Sequence, residues 1–140
     1  MSGQAVNRIV SQFAHISAFE LPQFEAAVGA TFKQTEENPY WTFYEFELSD
    51  GPFARGDFRL SKAGGQALLS LWAREEPALV EADLDLRPWG EVRNIDVNPR
   101  IQPEGTYAYI YDVSGLKVSF QFTYNSKRLR SVALEWGKPE

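Results

Sequence analysis

From residue 106 to residue 136 the chain alternates apolar and polar side chains three times over, and this pattern constrains the fold more than any other. Tyr107, Tyr109, Tyr111 and Val113 share one parity. After Gly115, Val118, Phe120, Phe122 and Tyr124 alternate with Lys117, Ser119, Gln121 and Thr123. After Asn125, Ser126, Lys127 and Arg128, the residues Val132, Leu134 and Trp136 alternate with Ser131, Ala133 and Glu135. A period of two is that of a strand with one buried face. Connections this short force neighbouring strands to be antiparallel. The chain therefore ends in a β-meander whose apolar face needs a cover.

The upstream sequence offers that cover. Val6, Ile9, Val10, Phe13 and Ile16 recur at spacings of three and four, which predicts an amphipathic helix. Leu21-Pro22 interrupts it, and a second short helix with Phe24, Ala27 and Val28 stops at Gly29. Beyond Glu37-Asn38-Pro39, residues 40–48, 53–61 and 66–73 read as strands, the second with a fully charged polar face of Arg55, Asp57 and Arg59. In residues 78–87, Val80, Ala82, Leu84 and Leu86 alternate with Glu81, Asp83, Asp85 and Arg87. The alternation predicts a strand, while the Ala, Leu, Glu and Asp content leaves a short helix open. Residues 91–104 hold at most a short strand around Val92–Val97.

The expectation is one α+β domain over residues 1–140. Helices at about 4–29 pack on a curved antiparallel β-meander of about seven strands, in a first meander at about 40–87 and a second at about 106–136. A displacement of 64 positions sets Gly51 on Gly115, Phe58 on Phe122, Leu68 on Val132 and Trp72 on Trp136. Two readings stay open: a duplicated three-stranded unit, or two unrelated meanders with similar turns.

The absence of cysteine excludes disulfides and thiolate chemistry. The first twenty residues lack a basic leader and a long apolar run, so neither an export signal nor a membrane span is expected, and the cytoplasm is the expected location. Net charge is −5; residues 1–90 carry seven Lys/Arg against thirteen Asp/Glu, and residues 91–140 seven against six. Such an excess of acid repels phosphate backbones, so no nucleic-acid partner is expected.

Chemistry-bearing patterns are sparse. His15 is the one histidine, so no site with two imidazoles exists, and it sits within the first helix. No phosphate loop, nucleophile elbow or zinc-protease motif occurs. Asp83 with Asp85, or Glu45 with Glu47, project as i, i+2 carboxylate pairs, as solvated sheet faces often do. No catalytic residue, metal or cofactor is expected. What remains is an acidic cluster of Glu75, Glu76, Glu81, Asp83 and Asp85. It reads either as a solvated edge that prevents edge-to-edge association or as a docking face for a basic protein, with Trp41 and Trp89 as aromatic anchors.

With its Trp89-Gly90 turn, its Pro-Glu-Gly at 103–105 and its paired strands carrying Leu129 and Trp136, the last part of the chain resembles small bacterial proteins encoded beside toxins that serve as their immunity partners. The helix-then-meander order is also similar to the architecture of β-lactamase inhibitory proteins, which unlike this chain carry disulfides. The resemblance implies a stoichiometric, non-catalytic inhibitor of a cognate toxin acting in the cytoplasm, basic at the contact. A small-ligand binder using the aromatic face of Tyr107, Tyr109 and Tyr111 is the alternative, and a carboxylate enzyme comes third.

Overall fold

The computed structural model describes residues 3–16, 20–76, 78–113 and 115–137. Two helices, α1 (Gly3–Ala14) and α2 (Leu21–Val28), precede eight strands: β1 (Lys33–Glu37), β2 (Trp41–Glu47), β3 (Phe53–Ser61), β4 (Ala67–Ala73), β5 (Asn94–Asn98), β6 (Thr106–Val113), β7 (Leu116–Thr123) and β8 (Leu129–Trp136). They form one antiparallel sheet in the order β1-β2-β3-β4-β8-β7-β6-β5, two four-stranded meanders joined along β4 and β8. The sheet thus has eight strands rather than about seven. Among the described residues, no helix is long and apolar enough to cross a membrane.

Residues 78–87 do not form the expected strand. They contain two single turns of 3₁₀-helix, Glu81–Asp83 and Arg87–Trp89, and only Val80 makes a bridge, to Arg128. The carboxylates explain the departure. Asp83 accepts the N–H of Val80 at 2.9 Å, and Asp85 accepts that of Arg87 at 3.1 Å, so the side chains compete with a ladder for the backbone. Two short strands take the missing place. β1 (KQTEE) is exposed at every residue and owes its shape to pairing with β2. β5 forms the opposite edge, with Ile95 and Val97 about half exposed.

One face of the sheet carries the core. Val6, Val10 and Phe13 of α1 and Phe24 of α2 are fully buried. Phe13 and Phe24 meet Trp136 edge-on at 6.1 and 5.1 Å, and Phe24 lies 4.5 Å from Phe58. Such ring pairs contribute about 0.5–1.5 kcal/mol each beyond their buried area. Pro22 opens α2 at a position where a missing N–H costs nothing, and Gly29, at φ 83°, closes it by donating to the Glu25 carbonyl. Gly56 of β3 faces the Phe46 ring, which occupies the space a Cβ would need.

Segment 79–89 covers the other half of this face. Leu79 is buried and its carbonyl accepts the Leu129 N–H at 2.7 Å. The Trp89 ring lies 6.2 Å from Phe120, and its indole N–H donates to Asn7 of α1 at 3.0 Å. Tyr107 and Tyr109 both donate their hydroxyls to Glu81, and Tyr111 packs edge-on to Phe120. The aromatic face is therefore occupied by the chain itself. Tyr124, expected to continue it, lies just past β7 and is 53% exposed.

The 64-residue displacement holds for part of the sheet and then fails. Gly51 and Gly115 both turn with φ near 86° (85° and 87°), and Phe58 and Phe122 are both in the core. Trp136 is buried, however, whereas Trp72 is half-buried on the opposite face. The cause is a β-bulge in β8. Gln121 pairs with Ser131 but Phe122 pairs with Leu129, so Arg130 is an extra residue that reverses the parity of every side chain after it.

Candidate functional site

The helices and segment 79–89 all lie on one side, which leaves much of the other face of the sheet open, apart from the β6–β8 end, where Thr106, Ala108, Thr123 and Ser131 are buried. In register across it stand Phe43, Arg59 and Leu68, then Asp57, Ser70 and Ala133, then Arg55, Trp72 and Ser131. Trp41 and Trp72 are half-buried here, each against guanidinium groups. Arg59 lies 4.7 Å over the Trp41 ring, and its Nε is buried without an acceptor among the described residues. Arg55 of β3 and Arg130 of β8 each lie 4.9 Å from the Trp72 ring, approaching it from the two strands that flank β4. A cation over an indole contributes about 0.5–2 kcal/mol, the more so as water is excluded.

Two bulges make this arrangement. One is at Arg130; the other is at Ala54, because Phe53 pairs with Ala73 while Arg55 pairs with Trp72. Both flank the same end of β4 and re-aim the side chains beside them. Ordinary alternation would put only one of Arg130 and Ser131 on the open face. With the bulge, both reach Gln121 there, at 2.6 and 3.2 Å to its Oε1. Asp57 accepts the Trp72 indole N–H at 3.0 Å and fixes the ring from the other side.

At this end of β4 a cleft of about 490 Å³ opens, lined by Arg55, Trp72, Arg74, Glu75, Arg128 and Arg130, with Gln102 and Pro103 across from them. Arg74 is tethered to the β2–β3 turn through the Leu48 and Gly51 carbonyls, at 2.6 and 2.8 Å. Glu104 holds the opposing loop in place by accepting the N–H groups of Asn125 and Ser126, both at 2.6 Å. Those donors, that of Ser126 foremost, hold its carboxyl below the usual range, and the Arg128 charge adds to them. Chemically, the cleft can grip anionic groups: it has four guanidinium forks and one exposed carboxylate.

Three of the five acidic residues expected to dock a partner are engaged within the chain. Glu81 accepts the two tyrosine hydroxyls, and Asp83 caps its own turn. Asp85 pairs with Arg87 at 2.8 and 2.9 Å, and that guanidinium holds its carboxyl down at about 2. Glu75 and Glu76 are exposed, and Glu75 lines the arginine cleft. Of the two expected anchors, Trp41 stands on the open face and Trp89, 8% exposed, is in the core. His15 is exposed at the end of α1. No three His, Asp or Glu side chains among the described residues come together as a metal site.

Sequence reasoning missed Arg55, Trp72, Arg74, Arg128 and Arg130 as a group. The charged face of residues 53–61 and the Lys-Arg-Leu-Arg run at 127–130 were the available signals. Comparison of the chain with protein-family models, curated proteins and solved structures finds no match.

Proposed function

We propose that this protein is a non-catalytic, protein-binding inhibitor of the immunity type, which docks through the open face of its sheet onto a cognate bacterial toxin acting in the cytoplasm. The observation that carries this reading is Trp72, half-exposed between two guanidinium groups on a sheet face that no helix covers. Tryptophan and arginine are the residues most enriched where binding energy concentrates, and a flat sheet presents them without an ordering cost on association. The acidic segment of residues 75–87 is the poorer docking face, since Glu81, Asp83 and Asp85 already have partners within the chain. The alternative of an apolar ligand on the tyrosine face loses support for a similar reason: Glu81 engages two of the three hydroxyls.

The test is co-expression. The product of the neighbouring gene is expected to arrest growth alone and to be neutralised when this chain is present, with a one-to-one complex on gel filtration. Growth unaffected by that product in the absence of this chain would sink the proposal.

A further inference from the structure

Resting on the reading of the chain as a protein-binding module, we propose that the cleft at Trp72 receives carboxylates from one acidic segment of the partner, so that the partner is acidic at the contact. The chain has 19 acidic residues for 14 basic ones, so arginines have acids in excess to pair with. Yet of the four that line this cleft only Arg55 has an ion pair among the described residues, with Asp57 at 4.0 Å. Arg74, Arg128 and Arg130 make none, and Glu75 is the one acidic lining residue. Like charges gathered in one concavity repel one another and focus a positive potential there, and an incoming anion relieves both effects.

Geometry selects the kind of anion. β3 and β8 lie on either side of β4, and the Arg55 and Arg130 guanidinium carbons each lie 4.9 Å from the Trp72 ring centroid, so the two groups stand up to about 10 Å apart across the indole. A single phosphate is too small to span that distance. Carboxylates on separate residues of one extended segment can, each meeting a planar fork that matches carboxylate geometry. The forks are pre-set: Arg74 by two carbonyls, Arg130 by Gln121, and Arg55 and Arg130 by the indole between them. A nucleic acid also offers anions in series, but it carries a phosphate at every residue and cannot keep its charges away from Glu75, Asp57 and Glu104, whereas a peptide can set a carboxylate opposite each fork and leave the positions between them neutral.

The experiment is an NMR titration of the full chain with three probes: hexaglutamate peptide, inorganic phosphate and a single-stranded oligothymidylate, with hexaglutamine as control. Hexaglutamate is expected to shift the Trp72 indole N–H and the Arg55 and Arg130 Nε–H signals saturably, leaving those of Trp89 and Trp136 in place, while hexaglutamine shifts none. The R55Q/R130Q variant should bind hexaglutamate at least about tenfold more weakly, as expected when a desolvated charge pair is lost. Binding is read on the unaltered protein first, so a variant that fails to fold leaves the main result intact. Phosphate or oligothymidylate binding at the cleft more tightly than hexaglutamate would overturn the proposal, as would shifts confined to other tryptophans. Absence of hexaglutamate binding in a protein that still captures its neighbouring gene product would remove the acidic-segment assignment alone. Failure of both would remove the binding reading as well.

Discussion

The arginine cleft and the acidic segment that follows it meet at Arg74 and Glu75, yet they use their charges in opposite ways. In residues 79–89 the carboxylates have partners within the chain: Glu81 two tyrosines, Asp83 a backbone N–H and Asp85, at the surface, Arg87. In the cleft, guanidinium groups from β3, the end of β4 and β8 converge, with a single ion pair at 4.0 Å among them. A cluster in sequence was satisfied locally; a scattered set was assembled with neutral partners and, among the described residues, one ion pair. The lesson is that charge density along a chain is a poor guide to docking, because neighbours in sequence can satisfy each other within a turn or two.

That contrast can be broken in several places, and the largest effect is expected at Trp72. W72A should weaken partner binding at least about thirtyfold, the loss of a central hot-spot residue worth about 2 kcal/mol, and should also lower the melting temperature, because the ring stacks against Arg55 and Arg130 and donates to Asp57. Calorimetric titration of the partner checks it, and unchanged affinity would remove Trp72 from the interface.

Glu81 should behave in the opposite sense. E81A leaves Tyr107 and Tyr109 without an acceptor and should lower the unfolding free energy by about 1 kcal/mol in urea, with partner affinity unchanged. An affinity loss without a stability loss would return the acidic segment to the binding face.

A smaller effect is expected at high pH. Burial first, with the Glu81 carboxylate adding, pushes the Tyr107, Tyr109 and Tyr111 hydroxyls above their ordinary value of ~10. The folded state thus holds these protons more tightly than the unfolded chain. Their contribution is complete below ~10 and is lost as pH rises from there through the folded values. Melting temperature should fall over that range, and less steeply in Y107F; an identical slope would show that the folded state holds the Tyr107 proton no more tightly than the unfolded chain. The smallest effect concerns Asp85. Its carboxyl, held at about 2 by Arg87, contributes above the ordinary carboxylate range and loses that contribution as pH falls through about 2. Carbon-detected titration should find its midpoint there, and a midpoint near ~4 would mean that the pair does not form in solution.

Much of the fold was legible. β6, β7 and β8 follow from strict alternation, and α1 from spacings of three and four, because each buries one face against the same core. Residues 78–87 were misread because Glu81, Asp83, Asp85 and Arg87 mimic the polar half of a strand, while Asp83 and Asp85 bond the nearby backbone instead. β1 carries no apolar alternation at all; only the edge of β2 makes it a strand. The cleft was illegible for a third reason. Arg55, Trp72 and Arg130 are brought together by sheet order, and Arg130 faces the cleft through a one-residue bulge whose one mark in the sequence is the step of three from Leu129 to Val132.

The central claim is that docking runs through the arginine cleft and not through the acidic segment. Partner affinity measured side by side for R55A/R130A and for E76Q/D85N tests it directly. The account predicts a loss of at least about tenfold in the first pair and unchanged or slightly tighter binding in the second, since an acidic partner is spared two repelling charges. Unchanged affinity in the first pair with a large loss in the second would contradict it.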